Sequence, residues 1–302
     1  MTAPATRAGY VAVIGRPNVG KSTLTNLLVG EKVAIVSAVP QTTRNRINGM
    51  LNLPGGQIVV VDTPGVHRPR HQMNRLMMAE TTGAMQDVDL ILFLIQADGR
   101  PGGFGPGDRF ILEQLPRQGP PVILVVNKVD LVKRDVLLPL IERVKDAFPF
   151  KEILLISALT GDNTRDLAER ILAHLPEGPP LFPEEYMTDQ QERFLAAELI
   201  REKILHHTRQ EIPHETCVLI DTFEEGVGLT RIEATVLVEK ESQKGIVIGH
   251  EGGMLKIVGT EAREELERML DTRVFLKLWV KVREGWRDDE AILRRLGISH
   301  TS

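Results

Sequence analysis

The first half of the chain alternates short apolar runs with segments whose apolar residues recur at helical spacing. The runs are rich in β-branched residues, as expected of buried strands, and they cover 10–14, 58–61, 90–95, 122–126 and 153–156. The helices predicted between them cover 22–28, 73–85, 108–115, 137–147 and 164–175. This alternation predicts an α/β domain with a mainly parallel sheet and helices on both of its faces.

Two further patterns refine this organisation. Residues 46–51 can pair with 57–61 across a short polar turn, which predicts an antiparallel hairpin at the edge of the sheet. Residues 175–183 carry four prolines and one glycine between helical patterns, so they favour a semi-rigid linker. We therefore expect one domain at 1–175, a linker at 176–183 and a second domain at 184–302.

The second domain is predicted to be a smaller α+β unit. A long amphipathic helix is expected at 189–207, strands at 216–223 and 231–238, a glycine-containing turn at 249–253 and a helix at 260–270. The last strand, 274–282, alternates strictly between apolar residues on one face and Phe275, Lys277, Trp279 and Lys281 on the other.

Composition narrows the class of protein. The chain has 302 residues, 42% of them hydrophobic and 26% charged, which is typical of soluble globular proteins with room for two domains. Its single cysteine, Cys217, excludes an intrachain disulfide and a thiolate zinc site, and no signal peptide or membrane-spanning run is recognisable. We expect an intracellular protein.

Net charge limits the argument for nucleic-acid binding. The chain carries a net charge of −4, and after Pro183 it has 17 basic and 24 acidic residues against 20 and 17 before that point. Binding dominated by phosphates usually leaves a basic footprint. Any nucleic-acid site must therefore be local.

A phosphate-binding loop follows the first predicted strand. The segment from Gly15 to Ser22 has the P-loop pattern in its strand-loop-helix setting, where backbone N–H groups surround phosphates at a helix N-terminus. Lys21 is expected to reach the terminal phosphates and Ser22 to bind Mg²⁺. The pattern by itself specifies only a nucleoside triphosphate, and a glycine-rich turn is the structural alternative. The candidate phosphate-binding residues are Gly15, Asn18, Val19, Gly20, Lys21, Ser22 and Thr23.

Two later segments are expected to complete the phosphate and magnesium site. The second strand ends at Asp62, which can hold Mg²⁺ through water, and Gly65 can offer its N–H to the γ-phosphate. The segment 41–44 lies where a mobile switch should add one ligand, and we favour Thr43 over Thr42. A surface loop is the alternative. Lys21, Thr43 and Gly65 are the candidate catalytic residues.

The base is predicted from two motifs at the ends of the fourth and fifth strands. The Asp130 carboxylate accepts hydrogen bonds, and guanine offers N1–H and an amino group side by side, whereas adenine does not. Asn127 and Lys128 should brace the loop and cover the base, while Ser157 and Ala158 lie where a backbone N–H can meet guanine O6. Four motifs in order, each at the carboxyl end of a parallel strand, predict a GTP site.

Phosphoryl transfer needs positioning and charge neutralisation more than a protein nucleophile. Val66 stands where many small GTPases carry a glutamine that orients the attacking water, and valine cannot do so. The sequence therefore predicts Mg²⁺-dependent hydrolysis of GTP to GDP and phosphate with a low intrinsic rate, unless an ion, an arginine or a partner assists.

These motifs, together with the segments 247–249, 256–259, 278–282 and 285–286, resemble the Era family of bacterial GTPases over nearly the whole chain. The resemblance implies a P-loop GTPase domain followed by a KH domain of the second topological type. It implies a cytoplasmic, monomeric factor that binds near the 3′ end of small-subunit ribosomal RNA, assists assembly of the small ribosomal subunit and contacts the inner face of the membrane peripherally. It also implies that Asn18 binds K⁺; shaping of the loop backbone is the alternative.

The KH turn is where this chain departs from the family. In KH domains a Gly-x-x-Gly turn clamps the nucleotide backbone beside a groove for the bases. Here Glu251 stands at the centre of the turn, where the family is usually neutral or basic, so Lys244 and Lys256 should carry more of the electrostatic attraction. The candidate RNA-binding residues are Lys244, Gly249, His250, Gly252, Gly253 and Lys256.

Two other functions compete with ribosome assembly. One is a GTP-dependent signalling or membrane switch whose second domain binds protein or lipid. The other is a KH module whose nucleotide site binds without turnover. Crosslinking to RNA distinguishes the ribosome-assembly factor from the signalling or membrane switch. Measuring phosphate release distinguishes it from a KH module that binds nucleotide without turnover.

Overall fold

The structure is a computed structural model, and it describes residues 6–65, 71–98, 103–209 and 212–298. Within these ranges the chain divides into two compact units. Of the described residues, 6–34, 43–65, 77–98 and 103–189 belong to the first, and 35–42, 71–76, 190–209 and 212–298 belong to the second.

The first unit is built on a six-stranded sheet in the order β2-β3-β1-β4-β5-β6. Neighbouring strands are parallel except for β2, which pairs antiparallel with β3, so both the mainly parallel sheet and the edge hairpin are confirmed. The strands are β1 Arg7–Gly15, β2 Ile47–Leu53, β3 Gly56–Asp62, β4 Leu90–Gln96, β5 Val122–Asn127 and β6 Glu152–Leu155.

Apolar side chains fill both faces of this sheet because the strands are buried on both sides. One core cluster contains Leu24 of α1 and Leu167 of α5, and the other contains Ile111 of α3 and Leu140 of α4. Helices therefore cover both faces, as predicted. The helices in the first 175 residues are α1 Lys21–Val29, α2 Gln72–Ala84, α3 Pro106–Gln114, α4 Arg134–Val144 and α5 Thr164–His174.

The proline-rich segment and the residues after it pack along the first unit. The buried side chain of Gln57 accepts hydrogen bonds from the N–H groups of Leu181 and Phe182 at 2.8 and 2.9 Å. Farther on, the Met50 N–H donates to the carbonyl of Met187 at 2.9 Å, which covers part of the free edge of β2. Residues 176–189 are thus held by backbone hydrogen bonds.

The second unit is a three-stranded sheet, β7-β8-β9, packed against helices. Strands β7 and β8 are antiparallel, whereas β8 and β9 are parallel. Its elements are α6 Glu192–His207, β7 Cys217–Gly226, β8 Leu229–Val238, α7 Glu241–Ile248, α8 Gly253–Leu270, β9 Arg273–Val282 and α9 Glu290–Arg295.

Strand β9 confirms the predicted alternation, since Val274 and Val280 are buried in the core whereas Phe275 and Lys281 are exposed. Helix α8 begins seven residues before the predicted start at 260. Glycine lowers helix propensity by roughly 1 kcal/mol, so glycines at 253 and 259 conceal this helix from a propensity argument. Helix α7 was not predicted from the sequence, because it has only 8 residues and contains a glycine.

Trp286 is fully buried and donates from Nε1 to the Glu215 carbonyl at 3.0 Å, so packing rather than base stacking is its role. Beside it, the Arg287 guanidinium bridges two carboxylates, contacting Glu239 at 3.0 Å and Glu215 at 3.1 Å. Glu239 also accepts the Gly285 N–H at 2.6 Å. This network ties the segment after β9 to the end of β8 and the segment before β7.

His207 pairs with a carboxylate of the same unit. Its Nε2 lies 2.8 Å from Glu261 Oε2 of α8, and the described residues contain no group of three or more His, Cys, Asp or Glu suited to a metal ion.

Among the helices in the described ranges, none has the length and apolar composition that a bilayer crossing would require.

We expect Arg287→Met to lower the free energy of unfolding of the second unit by about 2–3 kcal/mol, because two carboxylates with little solvent exposure lose the cation that they share. Arg295→Met removes an exposed arginine that lies 3.4 Å from Asp221 and should cost at most about 0.5 kcal/mol. Both tryptophans lie in the second unit, so tryptophan fluorescence during urea unfolding measures that unit selectively. Equal losses in the two variants would contradict this role for the Arg287 network.

Candidate functional site

The P-loop leaves the centre of the sheet, between β1 and α1. Strand β1 lies between β3 and β4, where the direction of the strand order changes, and ligands of such sheets bind at this position. Gly20 precedes α1 with a φ of 101°, and a Cβ there would lie 2.4 Å from Asn127 Nδ2. Only glycine therefore fits at this point of the loop.

Lys21 is the buried cation of the loop. Its Nζ donates to the carbonyl oxygens of Gly15 at 3.1 Å and Arg16 at 3.4 Å. Burial lowers the pKa of Lys21 to about 8, while the Asp62 carboxylate opposes this shift and Arg16 adds to it. A phosphate anion beside the ammonium group would favour its charged form and raise this pKa again.

Three oxygen-bearing side chains converge next to Lys21. Ser22 Oγ donates to Asp62 Oδ2 at 2.6 Å and lies 2.7 Å from Thr43 Oγ1, and Thr43 Oγ1 lies 3.3 Å from the same carboxylate oxygen. Asp62 Oδ1 is buried and has no hydrogen-bond partner among the described residues. Burial raises the pKa of Asp62, although the charge of Lys21 opposes the shift. Hard oxygen ligands around an unsatisfied carboxylate fit Mg²⁺.

The neighbouring threonines differ in their surroundings. Thr43 is buried against Ser22 and Asp62, whereas the Thr42 hydroxyl donates to the carbonyl of Val39 at 2.6 Å and contacts Ser37 in its own loop. The geometry therefore favours Thr43 as the magnesium ligand.

Gly65 approaches the P-loop closely. A Cβ at this position would lie 2.9 Å from Pro17 Cγ, so the backbone of Gly65 runs against the loop with no room for a side chain. Val66, which is the basis for the expected low rate, lies outside the described residues.

The Asn127 side chain joins three loops of the nucleotide site. Its Nδ2 donates to the Val19 carbonyl at 2.8 Å, and its Oδ1 accepts the Ala158 N–H at 2.9 Å. Lys128 follows in a left-handed conformation with φ 63°, and its Nζ donates to the Asn18 carbonyl at 2.7 Å. These hydrogen bonds tie residues 127 and 128 to the phosphate loop and to the loop of Ala158, which is the bracing that the sequence predicts.

Asp130 is exposed, and one of its carboxylate oxygens accepts the Ser157 hydroxyl at 2.6 Å. This hydrogen bond orients the carboxylate and uses only one of its two oxygens.

Burial, followed by the charge of Arg16, lowers the pKa of Lys128. Among the remaining phosphate-loop candidates, Asn18 is exposed with φ 63°, and Thr23 lies half-buried in the first turn of α1.

The predicted Gly-x-x-Gly turn lies between α7 and α8 of the second unit. Gly249 has φ 75°, and a Cβ there would lie 2.6 Å from Met254 Cβ. Gly252 has φ 76° and forms the start of α8, with open space where its side chain would be. Glu251 also adopts positive φ, at 50°, and is exposed, as are His250 and Gly253.

A groove of about 340 Å³ runs from this turn along α8 and β9. Of the candidate basic residues, Lys256 lines this groove, whereas Lys244 of α7 lies 3.6 Å from Glu241 in an ion pair. Sequence reasoning missed most of the groove, although its α8 residues recur every three or four positions. The lining residues are Gly252, Leu255, Lys256, Gly259, Thr260, Arg263, Leu276 and Leu278.

Comparison with known proteins identifies the families to which the two parts of the chain are similar. Residues 10–128 match a family described as 50S ribosome-binding GTPase, and residues 211–287 match the KH domain family. A GTPase Era from Geobacter metallireducens is 50% identical over 293 residues, covering 96% of this chain and 97% of the relative. One from Clostridium kluyveri is 46% identical over 292 residues, covering 96% and 99%.

Solved structures agree with these relatives. A single-residue variant of Aquifex aeolicus Era bound to GDP·AlF4⁻ is 40% identical, has a TM-score of 0.92 and covers 97% of this chain and 100% of its own. Era in complex with MgGDPNP and nucleotides 1506–1542 of 16S ribosomal RNA is 40% identical with a TM-score of 0.93, at 97% and 99% coverage. A P-loop GTPase domain that hydrolyses GTP and a smaller KH domain thus form one chain, which belongs to the GTPase Era family.

Proposed function

We propose that this protein is a GTP-hydrolysing, RNA-binding factor for assembly of the small ribosomal subunit and that it binds near the 3′ end of small-subunit ribosomal RNA. The observation that carries the proposal is the groove beside a Gly-x-x-Gly turn in a chain that also holds a complete set of GTPase motifs. The first family description names the 50S subunit, but the RNA in the Era complex is 16S RNA, which belongs to the small subunit.

GTP is held, in this proposal, by the P-loop residues Gly15, Asn18, Val19, Gly20, Lys21, Ser22 and Thr23. Lys21 neutralises charge on the terminal phosphates, and the Gly65 N–H orients the γ-phosphate. The buried position of Lys21 beside backbone carbonyls supports this role, because a buried ammonium group gains most from an anion.

Ser22, Thr43 and Asp62 are the residues that would hold Mg²⁺, supported by their convergence and by the unsatisfied oxygen of Asp62. Mg²⁺ held there would neutralise negative charge on the phosphates during phosphoryl transfer. The protein positions the phosphates, and the low intrinsic rate expected from Val66 remains part of the proposal.

Guanine is selected by Asp130, with Asn127, Lys128, Ser157 and Ala158 shaping its pocket. The hydrogen bond from Ser157 supports this assignment, because it holds the carboxylate in one orientation before the base arrives. A carboxylate that pairs with N1–H and the amino group discriminates against adenine.

The chain's organisation and location complete the proposal. A GTP-binding domain at 1–175, a linker at 176–183 and a KH domain at 184–302 act as one monomer. A role on ribosomal RNA places the protein in the cytoplasm, and peripheral contact with the inner face of the membrane follows only from the family resemblance. RNA contacts are assigned to Lys244, Gly249, His250, Gly252, Gly253 and Lys256.

Asp130→Asn should change the base preference from guanine to xanthine, because the amide donates to the xanthine oxygen where the carboxylate accepted from the guanine amino group. We expect GTP affinity to fall by about 100-fold or more while XTP becomes the tighter ligand. Titration with both nucleotides measures this change, and Asp135→Asn, an exposed aspartate of α4, is the control. Unchanged GTP affinity would show that Asp130 does not contact the base.

If Asn18 binds K⁺, GTP turnover should be faster in KCl than in NaCl at equal ionic strength. Asn18→Gly keeps the left-handed backbone but removes the side chain, so it separates ion binding from loop shaping. We expect the variant to lose most of the difference between the two salts. A variant that keeps the full K⁺ effect, or equal wild-type rates in both salts, would assign Asn18 to the loop backbone instead.

Gly252→Asp should weaken binding of an RNA of nucleotides 1506–1542 of 16S ribosomal RNA by at least about tenfold, because a charged side chain would stand where the nucleotide backbone approaches. Gly228→Asp is a matched control, since Gly228 has φ 73° and open space at the tip of the β7-β8 hairpin. GTP hydrolysis without RNA should be unchanged in both variants. Equal RNA affinities for a folded Gly252→Asp protein and its control would remove the turn from the site.

Glu251→Lys tests the unusual acidic centre of the turn in the same assay. We expect tighter RNA binding and a salt dependence steeper by about one phosphate contact, because repulsion is replaced by attraction. Identical salt slopes would mean that residue 251 lies away from the RNA backbone.

A further inference from the structure

The groove beside the Gly-x-x-Gly turn is chemically different at its two ends. At one end lie Gly252, the first turn of α8 and Lys256. At the other lies Arg263, about two helical turns beyond Lys256 on the same face. Between them the walls are formed by Leu255 and Thr260 on α8 and by Leu276 and Leu278 on β9. A single-stranded RNA in this groove would meet a phosphate-binding end, a middle formed mainly by leucine side chains and a cationic far end.

The first end suits phosphate. Helix α8 begins at Gly253, after the N-cap Gly252, without a side-chain cap and with no acidic residue in its first turn, so its N-terminus and dipole favour an anion. Lys256 is exposed one turn farther on. These groups bind any nucleotide sequence alike, because phosphates carry no base information.

The middle of the groove has an unusual helix residue. Gly259 lies inside α8, where glycine costs roughly 1 kcal/mol relative to alanine. A Cβ there would meet only Leu278 Cδ1, at an ordinary 3.6 Å, so packing within the protein does not require glycine. Its effect is to keep the groove open to a flat group such as a base.

Arg263 differs from an ordinary surface arginine because its partner is itself fixed. Arg263 Nη1 donates to Glu267 Oε2 at 2.9 Å, and Glu267 Oε1 accepts the Val274 N–H at 3.1 Å where β9 begins. This backbone bond and then Arg263 lower the pKa of Glu267. Because a backbone N–H holds the carboxylate, the carboxylate orients the guanidinium through this hydrogen bond. A guanidinium has five N–H donors, so others remain for a ligand.

We propose, resting on the RNA-binding function above, that Arg263 reads one base in this groove and selects guanine or cytosine over adenine and uracil. A guanidinium pairs best with two adjacent acceptors. Guanine offers O6 and N7 on one edge and cytosine offers O2 and N3, whereas every edge of adenine or uracil alternates donors with acceptors or presents a single acceptor. Glu267 is a positioning residue that acts through Arg263.

The test uses the full chain and an RNA of nucleotides 1506–1542 of 16S ribosomal RNA, with each single-stranded guanine or cytosine replaced in turn by adenine or uracil. For the wild-type protein we expect one position whose replacement weakens binding by about tenfold or more. Arg263→Lys keeps the positive charge but loses the planar pair of N–H donors of the guanidinium. The variant should therefore bind the parent RNA more weakly, and its affinity should no longer change when the base at that position is replaced.

Two further variants separate base reading from charge and folding. Arg268→Lys changes an exposed arginine of the same helix and should preserve the wild-type profile of base replacements. Glu267→Gln removes a negative charge, so simple electrostatics predicts tighter binding; the proposal instead expects weaker discrimination at the position read by Arg263.

The outcomes distinguish this inference from the function on which it rests. If Arg263→Lys retains the wild-type dependence on every base while Gly252→Asp abolishes binding, RNA binding stands and base reading by Arg263 is overturned. If Gly252→Asp binds the RNA as tightly as its Gly228→Asp control, the proposed RNA site itself is wrong. Loss of base dependence at one position in Arg263→Lys, but not in Arg268→Lys, confirms the inference.

Discussion

The nucleotide site depends on one buried amide. Asn127 is 1% exposed, and its side chain holds Val19 of the phosphate loop with one atom and Ala158 of the base loop with the other. Because buried amides must be satisfied at both atoms, this residue fixes the distance between the loops that hold the phosphates and the base. The close approach of Gly20 to the same side chain adds a steric limit. A correct phosphate loop without Asn127 would be poorly placed relative to the guanine pocket.

Each of the two units contains a helix N-terminus that is suited to binding an anion. Helices α1 and α8 each begin after a left-handed glycine, with φ 101° at Gly20 and 76° at Gly252, and neither has a side-chain cap or an acidic residue in its first turn. Helix starts of this kind attract anions through their dipole and N–H groups, although the Gly253 N–H of α8 also donates to the His250 carbonyl. In the proposed function the two helix N-termini bind phosphates, one of a nucleotide and one of an RNA backbone.

Charge is used locally rather than globally. The second half of the chain is acidic, yet Lys256 and Arg263 line its groove while many of its carboxylates pair with arginine, lysine or backbone groups elsewhere. Glu267 illustrates the principle, since it orients a cation instead of repelling a ligand directly. Such an arrangement favours selective binding over nonspecific attraction to polyanions.

The sequence by itself determined the parallel sheet, its edge hairpin, the motifs of the GTPase and the alternation of β9, because each depends on local periodicity or on residue types at short spacing. It did not determine which threonine meets Ser22, since Thr42 and Thr43 are chemically alike and only the fold places one beside Asp62. Nor did it reveal the groove at Arg263, the early start of α8 or the packing of residues 176–189 on Gln57. These features depend on contacts between residues distant in the chain, which no local pattern records, so only the tertiary structure decided them.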